Sequence, residues 1–312
     1  MRTHKNLSAY VALLIVCLVW GTAYFALRIG VKTFPPFLFS AIRQVIAGLL
    51  LLAVLAIKGK LKFNKRIVYH QFVSGVLILA LGNGIIGWCE RIIPSGLAAL
   101  ILSLIPVFVV LINYLSGVDK RKPDPILILG LVLGCLAIAL IFNNNLKDFA
   151  KSGYFDTMLI AFAACFAIAI GSVYTKSHSH DNDNILQNAA LQLISAGMAL
   201  FVLSSFMDDF SEIKSISTSS IWALAYLIVF GSAIAYPCYV YTLKQLPIGI
   251  ASVYAYVNPF IAIILGFVFL NETLTMVTIL ALSAALGGVY SINKGYLRMS
   301  AFPKIKNKKE NE

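Results

Sequence analysis

Arg43 stands among apolar residues, about eight positions into the stretch 35–57. If that stretch is a membrane helix, the guanidinium sits ~11–12 Å along it. An arginine at that depth costs at least ~2.5 kcal/mol unless it meets an anion, carbonyl groups or water. Two readings follow: a role in a solute cavity, or a side chain that extends back to the interface. Glu90, beside Arg91 at the end of 71–91, is the carboxylate nearest a segment interior. It either pairs with that arginine or acts as a proton-coupling group.

Other polar, kinking or aromatic residues inside apolar stretches are further candidates for a solute pathway. These are Trp20 and Tyr24 in 8–28, Asn83 and Trp88 in 71–91, Ser103 and Pro106 in 95–116, Gln192 in 185–206, Tyr239 in 219–243, and Tyr256, Asn258 and Pro259 in 248–270. Trp20 is either a core packer or a cavity wall, and Asn83 either bonds between helices or faces solute. Helical spacing puts Ser252, Tyr256 and Pro259 on one face of 248–270, and Tyr254 and Asn258 on another. The first face is the one expected to meet a cavity. Tyr236, Pro237, Tyr239 and Tyr241 in 219–243 would give that cavity an aromatic, partly polar wall. Such a wall suits a zwitterionic or amphipathic solute better than a phosphate ester.

Signs of catalysis are missing. His178-Ser-His180-Asp-Asn-Asp183 has no third cluster to complete a metal site, and there is no phosphate-binding glycine loop, nucleophile elbow or HExxH. No metal and no cofactor are expected. The five cysteines, Cys17, Cys89, Cys135, Cys165 and Cys238, lie in or at the ends of apolar segments and read as small packing residues.

The elements that position these residues are membrane helices. The 312 residues are 60% hydrophobic and only 12% charged, with mean hydropathy +0.87, against ~25% charged for a soluble domain. Ten stretches are long and apolar enough to span: 8–28, 35–57, 71–91, 95–116, 124–143, 154–176, 185–206, 219–243, 248–270 and 275–293. The first has no cleavage site and reads as a retained span. Net charge is +12, but Lys and Arg collect in alternate loops and the tail, eighteen on one side against six on the other. The positive-inside rule then places both termini in the cytoplasm, with anionic lipid rather than nucleic acid at the basic face.

The chain also repeats itself. Pro94-Ser-Gly96-Leu-Ala98 with Pro106 returns as Pro247-Ile-Gly249-Ile-Ala251 with Pro259, and Asp119 and Gly134 return as Glu272 and Gly287. Gly21-Thr22-Ala-Tyr24 matches Gly171-Ser172-Val-Tyr174, and Arg43 with Ala47-Gly48 matches Gln192 with Ala196-Gly197. Five spans per repeat is an odd number, so the second repeat enters the membrane inverted. The expected fold is an all-α membrane protein of ten transmembrane helices in two inverted five-helix repeats. Residues 1–143 form the first repeat, 154–293 the second, and 294–312 a basic cytoplasmic tail. Proline-interrupted helices at matching places in two halves point to a transporter's central site. Pro106 and Pro259 would each free a backbone carbonyl at mid-depth, tolerable where a gate or wet cavity satisfies it.

A family resemblance rests on several stretches. They are Trp20-Gly21-Thr22-Ala-Tyr24, Arg28-Ile-Gly-Val, Pro35-Pro36, Arg43, Gly82-Asn83-Gly84, Glu90, Pro94-Ser-Gly96, Tyr254-Ala-Tyr256-Val-Asn258-Pro259 and Leu270-Asn-Glu272-Thr273-Leu274. With these the chain resembles the drug/metabolite transporter superfamily, in its EamA branch and among that branch's YedA-like members. Asn271 departs from the glycine common at its position. The resemblance implies a ten-helix carrier in the bacterial inner membrane, commonly exporting amino acids and related solutes. The expected function is therefore metabolite export by alternating access around a midplane cavity, by a monomer or homodimer. An accessory subunit or flippase for a lipid-linked metabolite, or a membrane-embedded enzyme, is the alternative.

Overall fold

The computed structural model describes residues 2–61, 64–115, 124–144, 153–179, 184–210, 215–246, 251 and 254–301, and all regular structure among them is helical. In chain order the elements are α1 (Arg2–Gly30), α2 (Pro36–Ile57), α3 (Lys65–Cys89), α4 (Ser95–Leu102), α5 (Ile105–Leu115), α6 (Pro125–Asn144), α7 (Tyr154–Ser177), α8 (Ile185–Met207), α9 (Thr218–Gln245), α10 (Tyr254–Leu270) and α11 (Met276–Ala301). Six of them are long and apolar enough to cross a membrane: α1 from Leu7, α2, α3, α7, α8 and α9. Pro125–Leu140, Val257–Leu270 and Met276–Ile292 are shorter apolar helices, and Ser95–Val109 is a shorter apolar stretch across α4 and the start of α5. Leu14, Val132, Phe206, Phe269 and many similar side chains point outward, a surface that lipid solvates and water does not. The chain is a multi-pass membrane protein.

Two helices loosen in their middles. Val76–Gly84 of α3 and Leu227–Ile234 of α9 are π-helical. There the hydrogen bonds skip one residue further than in an α-helix, a form concentrated at functional sites. A shift of 149 to 153 residues relates the repeated motifs read from the sequence, and 151 separates Val76 from Leu227. The two π segments therefore occupy corresponding places in the repeats.

Helix crossings carry the same correspondence. Gly48 of α2 lies so close to α8 that an added Cβ would meet Ile194 at 2.6 Å and the Ala190 carbonyl at 3.0 Å. Gly197 of α8 would in turn meet Val45 at 2.4 Å and the Ala41 carbonyl at 3.1 Å. A shift of 149 carries Ala41, Val45 and Gly48 onto Ala190, Ile194 and Gly197. The crossing is thus self-complementary, each helix offering the other the same notch. Likewise α1 packs on α9 and α10, α7 packs on α3, α4 and α5, and α6 pairs with α11.

One end of the bundle is fastened by carboxylates at helix N-termini. Asp208, which ends α8, accepts from the backbone N–H groups of Phe37 (3.3 Å) and Leu38 (2.8 Å) at the start of α2. Glu272, just past α10, accepts from Ser95 N–H (2.8 Å), Ser95 Oγ (2.9 Å) and Gly96 N–H (3.2 Å) at the start of α4. Both sites place an anion where orphan N–H groups and the helix dipole favour one. The opposite end is basic: Lys176 Nζ donates to the carbonyls of Leu243 (3.1 Å) and Leu246 (3.3 Å), and His70 stacks on His178 at 4.3 Å. Asp119, His180 and Asp183 lie outside the described residues, as do Pro247, Gly249 and Ser252.

The repeated prolines are placed differently. The expected continuous helix over 95–116 is broken at Ser103–Leu104, so Pro106 is the second residue of α5 rather than a helix interior. At that position a missing N–H costs nothing, because first-turn N–H groups have no helical acceptor. Pro259 does lie inside α10. Only one of the pair carries the helix defect that the sequence reading assigned to both. Asn271 follows α10 with φ 54°, in the left-handed region. Glycine suits that conformation best and asparagine tolerates it, so the departure from the family pattern keeps the geometry.

Candidate functional site

A cavity lies among α1, α2, α3, α8 and α9, with about 60 Å³ open to the centres of water-sized molecules, room for several waters or a small polar head. Five of the residues singled out from the sequence line it together: Trp20 and Tyr24 from α1, Arg43 from α2, Asn83 from α3 and Tyr236 from α9. Both π segments form its wall, through Leu79 and Asn83 on one side and Leu227, Gly231 and Ser232 on the other.

The π segments are satisfied by the lining itself. Trp20 Nε1 donates to the Gly231 carbonyl at 3.2 Å, and Asn83 Nδ2 donates to the Ile78 carbonyl at 3.3 Å. Each side chain therefore spends its donor on loosened backbone, which fixes the wall without leaving that backbone bare in the membrane.

The floor is different. Ser40, Arg43 and Gln44 stand at i, i+3 and i+4 on α2, one stripe of that helix. Ser40 and Gln44 are fully buried and Arg43 is 8% exposed. Ser40 Oγ, Arg43 Nε and both amide atoms of Gln44 have no hydrogen-bond partner. Ser40 Oγ faces α3, 3.3 Å from where a side chain on Gly87 would begin. Three residues further on is Glu90, fully buried, with both carboxylate oxygens unpartnered, while its neighbour Arg91 is exposed. Buried polar atoms are almost always bonded, and each orphan costs roughly 1–3 kcal/mol. Two of these residues, Arg43 and Gln44, line the cavity and give it unpartnered polar atoms that can receive polar groups.

The other candidates sit around this site or away from it. Gln192 is fully buried and spent: its Nε2 donates to Gln71 Oε1 and its Oε1 accepts from Tyr236 OH, each at 2.5 Å. Tyr239 stands behind Trp20 with ring centroids 4.9 Å apart, its hydroxyl 2.9 Å from Ser172 Oγ. Asn258 and Tyr254, the face not favoured from sequence, are the pair that reaches α1. With its nitrogen turned to donate, the Asn258 amide meets the Tyr254 and Cys17 carbonyls, both at 3.0 Å, and Tyr254 meets the Trp20 ring edge-on at 5.3 Å. Ser103 donates to the Leu100 carbonyl at 2.6 Å within the core, and Pro106 and Pro259 are buried there too. Trp88 is half-buried against the core. The Tyr256 side chain lies outside the described residues.

Sequence reading missed Ser40, Gln44 and Ser232 as lining or floor residues. The signal for two of them was available: Ser40-x-x-Arg43-Gln44 is a polar stripe at helical spacing in an otherwise apolar helix. A second cavity, about 130 Å³, lies between α4, α10 and α11 beside Glu272. It is the larger of the two, but the carboxylate facing it is already engaged with Ser95 and Gly96.

Comparisons with known proteins give the family and the fold. The family model described as the EamA-like transporter family matches twice, over residues 7–143 and 157–294. The chain is 30% identical over 307 residues to a protein of Escherichia coli K12 named as the uncharacterised inner membrane transporter YedA, covering 98% of this chain and 97% of that one. It is 24% identical to a Bacillus subtilis protein named as the uncharacterised transporter YoaV, covering 88% of this chain and 93% of the relative. One crystal structure shares the fold at TM-score 0.66 and 17% identity, covering 94% of this chain and 99% of that one.

Proposed function

This chain belongs to the EamA-like transporter family, and from that premise we propose that it carries amino acids or related small metabolites across a bacterial inner membrane by alternating access. In this reading ten helices form two inverted halves, 1–143 and 154–293, with both termini and the basic tail 294–312 in the cytoplasm beside anionic lipid. The working unit is a monomer or homodimer, and export is the preferred direction, taken from the family resemblance.

The observation that carries the reading is the cavity. Its walls come from α1, α2 and α3 of one half and α8 and α9 of the other, and its floor holds the unpartnered polar atoms of Arg43 and Gln44. A site shared by two halves is exposed to one side or the other as the halves rock. The two matches of the family model, the paired π segments and the self-complementary α2–α8 crossing support two related halves. Relaxed helices beside a packed crossing give the halves something to bend and something to pivot on.

Counterflow into proteoliposomes tests this. Protein preloaded with one unlabelled member of a panel of amino acids, nucleosides and sugars is expected to accumulate that same labelled solute. A panel with no counterflow in any member, with folded protein in the vesicles, contradicts the carrier reading.

A further inference from the structure

Resting on the carrier reading, we propose that the cavity takes a carboxylate on Arg43 and that Glu90 accepts a proton as it does so, so that proton and carboxylate are bound and moved together.

The donors come first. Arg43 Nε–H and the Gln44 amide are unpartnered at the cavity, and the unpartnered Ser40 hydroxyl shares their face of α2. A planar guanidinium fork with adjoining N–H and O–H donors matches a carboxylate, which takes two parallel bonds from arginine. The remaining wall is largely apolar or aromatic, through Leu27, Leu79, Ile86 and Leu193 with Trp20 and Tyr236. That leaves room for a small apolar or amphipathic body behind one anionic head.

Glu90 supplies the link. Glu90 is fully buried with no hydrogen bond to either oxygen, so its ionised form has only Coulombic support. The groups in electrostatic reach are Arg28 and Tyr24 from α1, Arg43 from α2, Cys89 beside it on α3, and Glu272 beyond α10. From α7 the contact is the Thr157 carbonyl, which accepts from Cys89 and carries no charge. Arg28 is committed to the Ile93 carbonyl at 3.0 Å, and Glu272 to Ser95 and Gly96. Arg28 keeps its charge beside the Ile93 carbonyl, and Arg43 is the second counter-charge, the one that lines the cavity and that a solute there can take. A solute carboxylate that takes Arg43 leaves Glu90 as a second carboxylate in the same dry space. Two neighbouring carboxylates in low dielectric do not both stay ionised, and one takes a proton. The solute keeps the arginine and Glu90 takes the proton from water. When the solute leaves, Arg43 is returned and Glu90 releases it.

The proposal is tested by net uptake, because counterflow moves solute and proton equally in both directions. Solute-free vesicles carrying an internal pH dye, set against protein-free vesicles, receive matched pairs, including leucine with leucinamide and 4-methylpentanoate with 4-methylpentanamide. The expected result is transport of acids and not of their amides, with proton entry in step with the solute. Binding should weaken as pH rises, by up to about tenfold per pH unit, the limit for one linked proton. In Glu90→Gln the pH dependence and the accompanying proton movement disappear, while the melting temperature stays near that of the parent. Should that variant fold poorly, the dye signal of the unaltered protein decides. Equal transport of amides and acids overturns the proposal, as does acid transport without proton entry, and the carrier reading survives both. No counterflow at all overturns the carrier reading first.

Discussion

Ser40–Arg43–Gln44 and its repeat counterpart, Ala189–Gln192–Leu193, hold the same place on α2 and α8 and have opposite characters. On α2 the stripe ends in unpartnered polar atoms beside the cavity. On α8 two of the three are apolar, and the third, Gln192, is bonded at both ends to Gln71 and Tyr236. The helices pack through mirrored notches at Gly48 and Gly197, so the backbone frame is shared and the side chains differ. In the proposed carrier this is a division of labour: one stripe is open to receive a solute, and its mate is closed to hold the wall that faces it.

The largest effects should come from exchanging these roles. Arg43→Ala should lower transport about 100-fold or more, as expected when a buried charge contact of roughly 3 kcal/mol is lost. Its melting temperature should stay near the parent value, since no hydrogen bond to Arg43 Nε is broken. Gln192→Ala should do the reverse, destabilising by about 1–3 kcal/mol because Gln71 and Tyr236 are left unsatisfied. Parallel counterflow and thermal unfolding check the pair. Equal transport loss in both, or equal destabilisation, would remove the contrast.

Next are the notches the two stripes share. Gly48→Leu and Gly197→Leu each drive a side chain into the facing helix, and overpacking of that kind costs upward of about 3 kcal/mol against backbone. Because the contacts are mirrored, the two variants should lose folded yield to a similar extent, read by size-exclusion chromatography in detergent. A large difference between them would break the symmetry of the crossing.

Smaller effects belong to the fastenings. Glu272→Gln removes the charge that caps α4, worth roughly 0.3–1 kcal/mol with a helix dipole. A modest fall in melting temperature is expected, largest at low ionic strength. Trp20→Phe removes the indole N–H from the Gly231 carbonyl and should destabilise by about 1 kcal/mol, read as a small fall in melting temperature.

Much of the bundle was legible in the sequence because apolar stretches of this length bounded by basic loops have few alternatives in lipid. The break at Ser103–Leu104 was not. Pro106 looks the same in sequence whether it interrupts a helix or opens one, and neighbouring packing decides. The π segments were equally hidden, since one skipped hydrogen bond leaves no periodicity; Gly82-Asn83-Gly84 was the nearest hint. In the site, Trp20, Tyr24, Arg43 and Asn83 could be found because each is out of character with its surroundings. Gln192 and Tyr239 are out of character too, yet neither lines the cavity: Gln192 is bonded to Gln71 and Tyr236, and Tyr239 to Ser172. Residue type alone cannot tell a polar group that is spent from one that is waiting.

The central claim is that the cavity between the halves is open in turn to each side. Ser232, on its wall and nearly buried, offers the most direct test. In a chain with the five native cysteines replaced, Ser232→Cys should react with a membrane-impermeant thiol reagent in both right-side-out and inside-out vesicles, and transported solute should slow both reactions. Reaction from one side only, or from neither, in a variant that still transports would contradict the account.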